Sequence, residues 1–150
     1  MKALITGGAG FIGTNAARHY QQQGYEVVVI DNLQRSGTLA NLNWLRAQGR
    51  VGFAQIDVRD SAAIERTFRP HRDASVVLHL AGQVAVTASV ADPRVDFETN
   101  ALGTLNVLEA MRRLEMTAPL LYASTNKVYG EMEAEGVVER PTRYEYTKLR

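Results

Sequence analysis

Thr6-Gly7-Gly8-Ala9-Gly10-Phe11-Ile12-Gly13 follows the short apolar run Ala3-Leu4-Ile5 and opens a segment with helical spacing. Strand, glycine turn and helix in that order aim a helix N-terminus, with its unpaired N–H groups and partial positive charge, at a phosphate. Glycines at such spacings also occur in plain tight turns; the flanking strand and helix are what favour the phosphate reading. In that reading Gly7 lets the chain turn off the strand and Gly10 has no side chain to hold a pyrophosphate away from the backbone. Gly13 lets the helix pack close to the sheet.

Working outward, Ile12, Ala16 and Tyr20 repeat every fourth residue, which predicts a helix from Phe11 to Gln23 that stops at Gly24. Tyr25 to Ile30 is a near-continuous apolar run, as in a parallel strand buried on both faces, and it ends at Asp31-Asn32. Leu39, Leu42 and Leu45 predict a second helix closed by Gly49, and Val51 to Ile56 a third strand ending at Asp57. Asp60 is placed to cap a helix with Ile64 and Phe68 inward and Pro70 at its end. Ser75 to Leu80 reads as the fourth strand. Asp92-Pro93 opens a long helix with Ala101, Leu105, Leu108 and Met111 inward, and Pro119 to Ala123 reads as the fifth strand.

Strands alternating with helices predict an α/β fold of the Rossmann type, a doubly wound parallel sheet of strand order 3-2-1-4-5, truncated after the fifth strand. The expected division is a dinucleotide-binding domain over residues 1–130 and a charged surface loop over 131–150 leading to a missing C-terminal part. The 150 residues, 45% apolar and 22% charged, suffice for one compact domain. Seventeen basic and sixteen acidic residues leave a net charge of +1 with no basic stripe, so no nucleic-acid partner is expected. Cysteine is absent, and no apolar run approaches the roughly 20 residues that span a bilayer. A soluble, cytoplasmic protein with no membrane partner is therefore expected, and no cluster has metal-ligand spacing.

In such sheets ligands bind beyond the carboxyl ends of the strands. Asp31, at the end of the second strand, is placed to accept hydrogen bonds from both hydroxyls of an adenosine ribose. A 2′-phosphate about 4 Å from its carboxylate would meet repulsion of about 4 kcal/mol per charge pair at an effective dielectric near 20, which favours NAD over NADP even with Arg35 nearby. Asp57 and Val58 end the third strand where the adenine edge would lie; a surface Asp is nearly as good an account of the spacing alone. Small residues in Leu80-Ala81-Gly82-Gln83 would let the cofactor approach the backbone. His79 falls inside a buried strand pattern and reads as a satisfied core histidine. Asn100, polar in mid-helix, suggests a task near the site, and Ser124-Thr125 supplies hydroxyls that can orient a substrate alcohol.

Taken together, Thr6 to Gly13, Asp31-Asn32-Leu33, Asp57, His79 to Gly82, Asn100 with Gly103-Thr104, and Ser124 to Gly130 resemble the N-terminal part of the extended short-chain dehydrogenase/reductase family, the NAD-dependent nucleotide-sugar epimerases and dehydratases. The resemblance implies redox epimerisation, with hydride passing from a sugar carbon to NAD and back to the other face. It implies Thr125 as the catalytic hydroxyl. It also implies Gly7, Gly10, Phe11, Ile12, Asp31, Asn32, Ser36, Asp57, Val58, Leu80, Ala81, Gly82, Gln83, Asn100 and Ser124 as cofactor-binding. The wording around Ala81-Gly82-Gln83-Val84-Ala85 and Ser124 to Gly130 points to a CDP-sugar among the family's substrates, and a homo-oligomer is expected at full length. The family also needs a Tyr-x-x-x-Lys pair, the Tyr acting as general base beside the Lys. Tyr144 and Lys148 have that spacing but follow a charged loop with no cap or apolar stripe. They read as a coincidental match, the true pair being expected on chain beyond residue 150.

Overall fold

The computed structural model describes residues 1–125, 128, 130 and 136–147, and at its centre five parallel strands run in the order β3-β2-β1-β4-β5. The elements along the chain are β1 (Lys2–Thr6), α1 (Phe11–Gln22), β2 (Glu26–Asp31), α2 (Thr38–Gln48) and β3 (Gly52–Gln55). There follow α3 (Ser61–Phe68), β4 (Val76–His79), α4 (Val86–Ala91) and α5 (Pro93–Phe97), a π-helical turn over Glu98–Leu102, then α6 (Gly103–Arg113) and β5 (Leu120–Tyr122). The strand order is the one expected from the sequence. Register places Thr6 beside Ile30 on one side and His79 on the other, and Asp31 beside Gln55. The ends of β1, β2, β3 and β4 thus form one rim.

The apolar runs are continuous because the sheet is covered on both faces. Leu4, Val28, Ile30 and Val77 pack with Ile64, Phe68, Val107 and Ala110, the face of α3 and α6. Their strand neighbours Ala3, Ile5, Val27 and Val29 pack with Ala17, Leu42 and Leu45, the face of α1 and α2. Alternate strand residues serve opposite layers, so a polar residue in these strands needs a buried partner, as Thr6 and His79 have in each other. The Asp60 carboxylate accepts from Ala63 N–H at 2.9 Å and starts α3 as its sequence position suggests. Asp92 likewise accepts from Val95 N–H at 3.1 Å, ahead of Pro93.

Helix phase departs from the periodic reading in three places. In α1 the buried residues are Gly13, Thr14 and Ala17; Ala16 and Tyr20 pack at the margin and Ile12 is 65% exposed. Leu39, read as inward in the second helix, is exposed while Leu42 and Leu45 are buried. In α6 the inward stripe is Gly103, Asn106, Val107, Ala110 and Met111, whereas Leu105 is 53% exposed and Leu108 faces outward, as does Ala101 in the π-helical turn before it. The cause in α6 is visible. The π-helical turn inserts a residue relative to a regular helix and so rotates everything after it. Gly103 then abuts Val58, where an added Cβ would sit 2.7 Å from Val58 Cγ2. The Asn106 amide donates to the carbonyls of Val58 and Arg59 at 2.9 and 3.1 Å, fastening α6 to the segment after β3.

The segment expected to be a surface loop contains an antiparallel hairpin, β6 (Val137–Arg140) and β7 (Arg143–Tyr146). Val137, Val138, Tyr144 and Tyr146 are good strand formers, and the intervening Pro141-Thr142 makes a two-residue turn. Glu145 holds the arms by accepting from Arg140 Nε at 3.1 Å and Arg143 Nε at 2.7 Å. Charge content suggested a loop; Arg140 pairs with Glu145 across the hairpin and Arg143 pairs with it along β7. Residues 131–135 lie outside the described residues.

Candidate cofactor site

The rim formed by the strand ends encloses a cavity of about 230 Å³. Its floor is the glycine turn. Gly7 has φ +66° and its N–H donates to Ile30 O at 2.8 Å, crossing from β1 to β2. A Cβ there would lie 2.6 Å from Ala81 N, so the turn is pressed against the segment after β4. A Cβ on Gly13 would collide with the Gly7 carbonyl oxygen and lie 2.6 Å from Gly8 Cα, so the first turn of α1 rests directly on the loop. α1 starts at Phe11 behind Gly10 as N-cap, with no side-chain cap and no acidic residue in its first turn. Its leading N–H groups are thus left for an anion in the cavity.

Asp31 and Asp57 stand along the outer wall. Asp31 accepts from Ala9 N–H at 3.1 Å and Leu33 N–H at 2.8 Å, and Leu33 is held at φ +58°. The Asp57 carboxylate accepts from Arg59 N–H and Nε at 2.9 Å each, from Arg59 Nη2 at 2.8 Å and from Asn32 Nδ2 at 3.0 Å. The Arg59 hydrogen bonds push its pKa down to about 2. Ile30, Ile56 and Val58 also border the cavity, Ile30 being fully buried and Val58 nearly so.

The inner wall is Leu80 to Gln83, backed by Asn100. Asn100 Oδ1 accepts from Gln83 N–H at 2.8 Å while Nδ2 donates to Gln83 O and Asp96 Oδ1, both at 3.1 Å. Its side chain therefore shapes the wall and is not among the lining groups. Behind it runs a directed chain of hydrogen bonds. Thr104 Oγ1 donates to Asn100 O at 2.6 Å, so it accepts from His79 Nε2 at 3.0 Å. His79 Nδ1 then accepts from Thr6 Oγ1 at 2.6 Å, and Thr6 Oγ1 accepts from Ala81 N–H at 3.3 Å. His79 is 1% exposed and is the satisfied core histidine expected from its position in the strand.

Burial pushes the His79 pKa from 6.5 down to about 4. The unfolded chain therefore takes up a proton first as pH falls below 6.5, and the fold loses stability until pH reaches about 4, by about 3 kcal/mol in all. Denaturant midpoints measured from pH 7 to 4 should fall in the natural protein, and the slope should flatten in His79→Gln. An unchanged slope in the variant would put the acid sensitivity elsewhere.

Of the residues named from sequence, Gly7, Gly10, Asp31, Asn32, Asp57, Val58, Leu80, Ala81, Gly82 and Gln83 line one cavity. Phe11, Ile12, Ser36, Asn100, Ser124 and Thr125 are not in its lining. Ser124 and Thr125 are exposed just beyond β5, while Asn126, Lys127, Tyr129 and Lys148 lie outside the described residues. Tyr144 is on β7 opposite Glu139 and 71% exposed, so no helix presents it. Arg35, placed near Asp31 from the sequence, is also in the lining, and the structure adds Ile30, Gln34, Thr38, Ile56, Val95 and Thr99. The two isoleucines look like ordinary strand residues in the sequence, and Val95 and Thr99 reach the rim only through the packing of α5 and the π-helical turn. Among the described residues no group of three acidic or histidine side chains is placed to hold a metal.

The family model described as GDP-mannose 4,6 dehydratase matches residues 4–146. The chain belongs to that family. CDP-paratose 2-epimerase of Salmonella typhi is 45% identical over 144 residues, covering 96% of this chain and 42% of that protein. The UDP-glucose 4-epimerase of Thermus thermophilus, solved in complex with NAD, superposes with a TM-score of 0.71 at 42% identity over 83% of this chain and 38% of that one. The UDP-glucose 4-epimerase of Bifidobacterium longum, solved with NAD+ and UDP, gives 0.78 at 34% identity over 87% and 38%. The chain thus spans about two fifths of the length of these family members. No helix among the described residues is long and apolar enough to cross a membrane.

Proposed function

We propose that this chain is the cofactor-binding part of an NAD-dependent nucleotide-sugar epimerase acting on a CDP-sugar, of the CDP-paratose 2-epimerase (CDP-tyvelose epimerase) type. The observation that carries the reading is the convergence of the glycine turn, the uncapped start of α1 and the Asp31 carboxylate on one cavity. The cofactor fits that arrangement: a Cβ at Gly7 would meet backbone on the far side of the turn, so the cradle exists only because the glycines are there. Bound there, NAD would supply a hydride acceptor and donor. The chain's own part is to seat the pyrophosphate on the α1 N–H groups and the adenosine ribose on Asp31. Thr125 orients the sugar alcohol as it loses its proton.

Residues 1–130 form the dinucleotide-binding portion, and 131–150 lead toward the substrate-binding remainder, which carries the Tyr-x-x-x-Lys pair. The assembly is cytoplasmic and homo-oligomeric at full length. The CDP-sugar assignment rests on the 45% identity to the Salmonella typhi enzyme. The structural likeness to UDP-glucose 4-epimerases supports 4-epimerisation of a UDP-sugar as the second reading. A panel of CDP-, UDP- and dTDP-sugars assayed with the full-length protein decides between them: C2 epimerisation of a CDP-sugar is expected, falling at least about tenfold in kcat in Thr125→Val. Turnover restricted to UDP-sugars overturns the first reading, and NAD binding with no turnover of any sugar leaves a non-catalytic NAD module.

A further inference from the structure

The Asp57 carboxylate has no unused acceptor position. Two oxygens offer about four lone-pair sites. Arg59 takes three of them, through its backbone N–H, Nε and Nη2, and Asn32 Nδ2 takes the fourth at Oδ2. The partners are unequal. Arg59 binds as a charged fork reinforced by its own backbone, a grip that any competitor would have to break at several points. Asn32 offers one neutral amide hydrogen, and its other amide hydrogen is held by the exposed Gln34 side chain at 3.0 Å. Ile56, half-buried, and the nearly buried Val58 flank this carboxylate in the cavity lining, an uncharged stretch near the ribose-reading Asp31, which makes it the seat for a base. An amino group on that base would find at Asp57 a carboxylate that is charged, oriented and already fully bonded.

We propose that Asn32 is a specificity-determining residue that competes with the base: its amide holds the Oδ2 position of Asp57, and a 6-aminopurine is read there only by displacing it. The inference rests on the NAD reading above. Its consequence is that the natural protein gains little from the amino group, because one hydrogen bond to Oδ2 replaces another. Removing the Asn32 amide would leave the carboxylate in place on Arg59 with an open acceptor, and the amino group would then count in full.

The experiment compares NAD with an analogue carrying unsubstituted purine, which lacks the 6-amino group and keeps the ring nitrogens. Dissociation constants are measured by calorimetry on the full-length protein, and the readout is the ratio of analogue to NAD. Uniform losses from loop disturbance cancel in that ratio. A ratio below about 5 is expected for the natural protein, rising to at least about 10 in Asn32→Ala, where an uncontested charged hydrogen bond is gained. In Asp57→Ala the ratio should fall to about 1, since the acceptor is gone. An unchanged ratio in Asn32→Ala, with the fall in Asp57→Ala intact, overturns the competition while leaving the base at Asp57. A ratio that ignores both substitutions removes the base from this wall, and failure of NAD itself to bind the natural protein removes the cofactor reading.

Discussion

Replacing Gly13 by alanine is expected to abolish NAD binding and to cost the fold about 3 kcal/mol, the upper end of what overpacking a rigid site costs. The added methyl has nowhere to go, because it would collide with the Gly7 carbonyl and sit 2.6 Å from Gly8 Cα, both backbone atoms that no rotamer change can move. Relief comes only by lifting α1 off the loop or by twisting Gly7, whose N–H bond to Ile30 O ties β1 to β2. Either movement carries the first N–H groups of α1 away from the place where a pyrophosphate would sit. Calorimetry and denaturant unfolding on the same preparation should show both losses together. Gly10 supplies the contrast: a Cβ there meets only Gly7 O, at 3.2 Å, and otherwise faces the cavity. Gly10→Val should therefore keep the fold and lose the ligand. A Gly13→Ala protein that bound NAD as the natural one does would show that α1 is not the phosphate seat.

The second large effect is expected at Asp31. On the NAD reading proposed above, Asp31→Ala would remove the acceptor for the ribose hydroxyls; it also frees Leu33, which the carboxylate holds at a positive φ through its N–H. Hydrogen bonds to a charged group are worth about 1.5–3 kcal/mol each, so losing two predicts at least about a hundredfold weaker NAD binding. NADP should move the other way. With the carboxylate gone its 2′-phosphate loses a repulsion of about 4 kcal/mol at short range, and Arg35, which lines the same cavity, becomes its partner. The natural protein should prefer NAD strongly and the variant should show little preference. Equal affinity of the natural protein for the two dinucleotides would remove Asp31 from cofactor selection.

Several elements could be read without coordinates because local chemistry alone constrains them. The glycine octet, the doubly buried strands and the caps at Asp60 and Asp92 depend on neighbours within a few residues. Strand order followed from the alternation of strands and helices. Helix phase was less legible. The π-helical turn before Gly103 has no hydrophobic signature, and it turned Leu105 and Leu108 outward while a glycine, an asparagine and smaller apolar residues faced the sheet. The hairpin over residues 137–146 was hidden by its charges, which a composition count treats as solvated and the fold pairs.

For the site the division is similar. Sequence singled out residues by their place at or just after a strand end, and Gly7, Gly10, Asp31, Asp57 and the segment from Leu80 to Gln83 meet in one cavity. Tertiary structure decided what each side chain has left to offer. Asn100 spends its amide on Gln83 and Asp96, His79 is locked between two threonines, and Asp57 is fully bonded by Arg59 and Asn32. Hydrogen-bonding capacity is exhausted by partners as far as 75 residues apart in the chain, as Thr6 and Ala81 are, so only the packed sheet determines which groups are still available to a ligand.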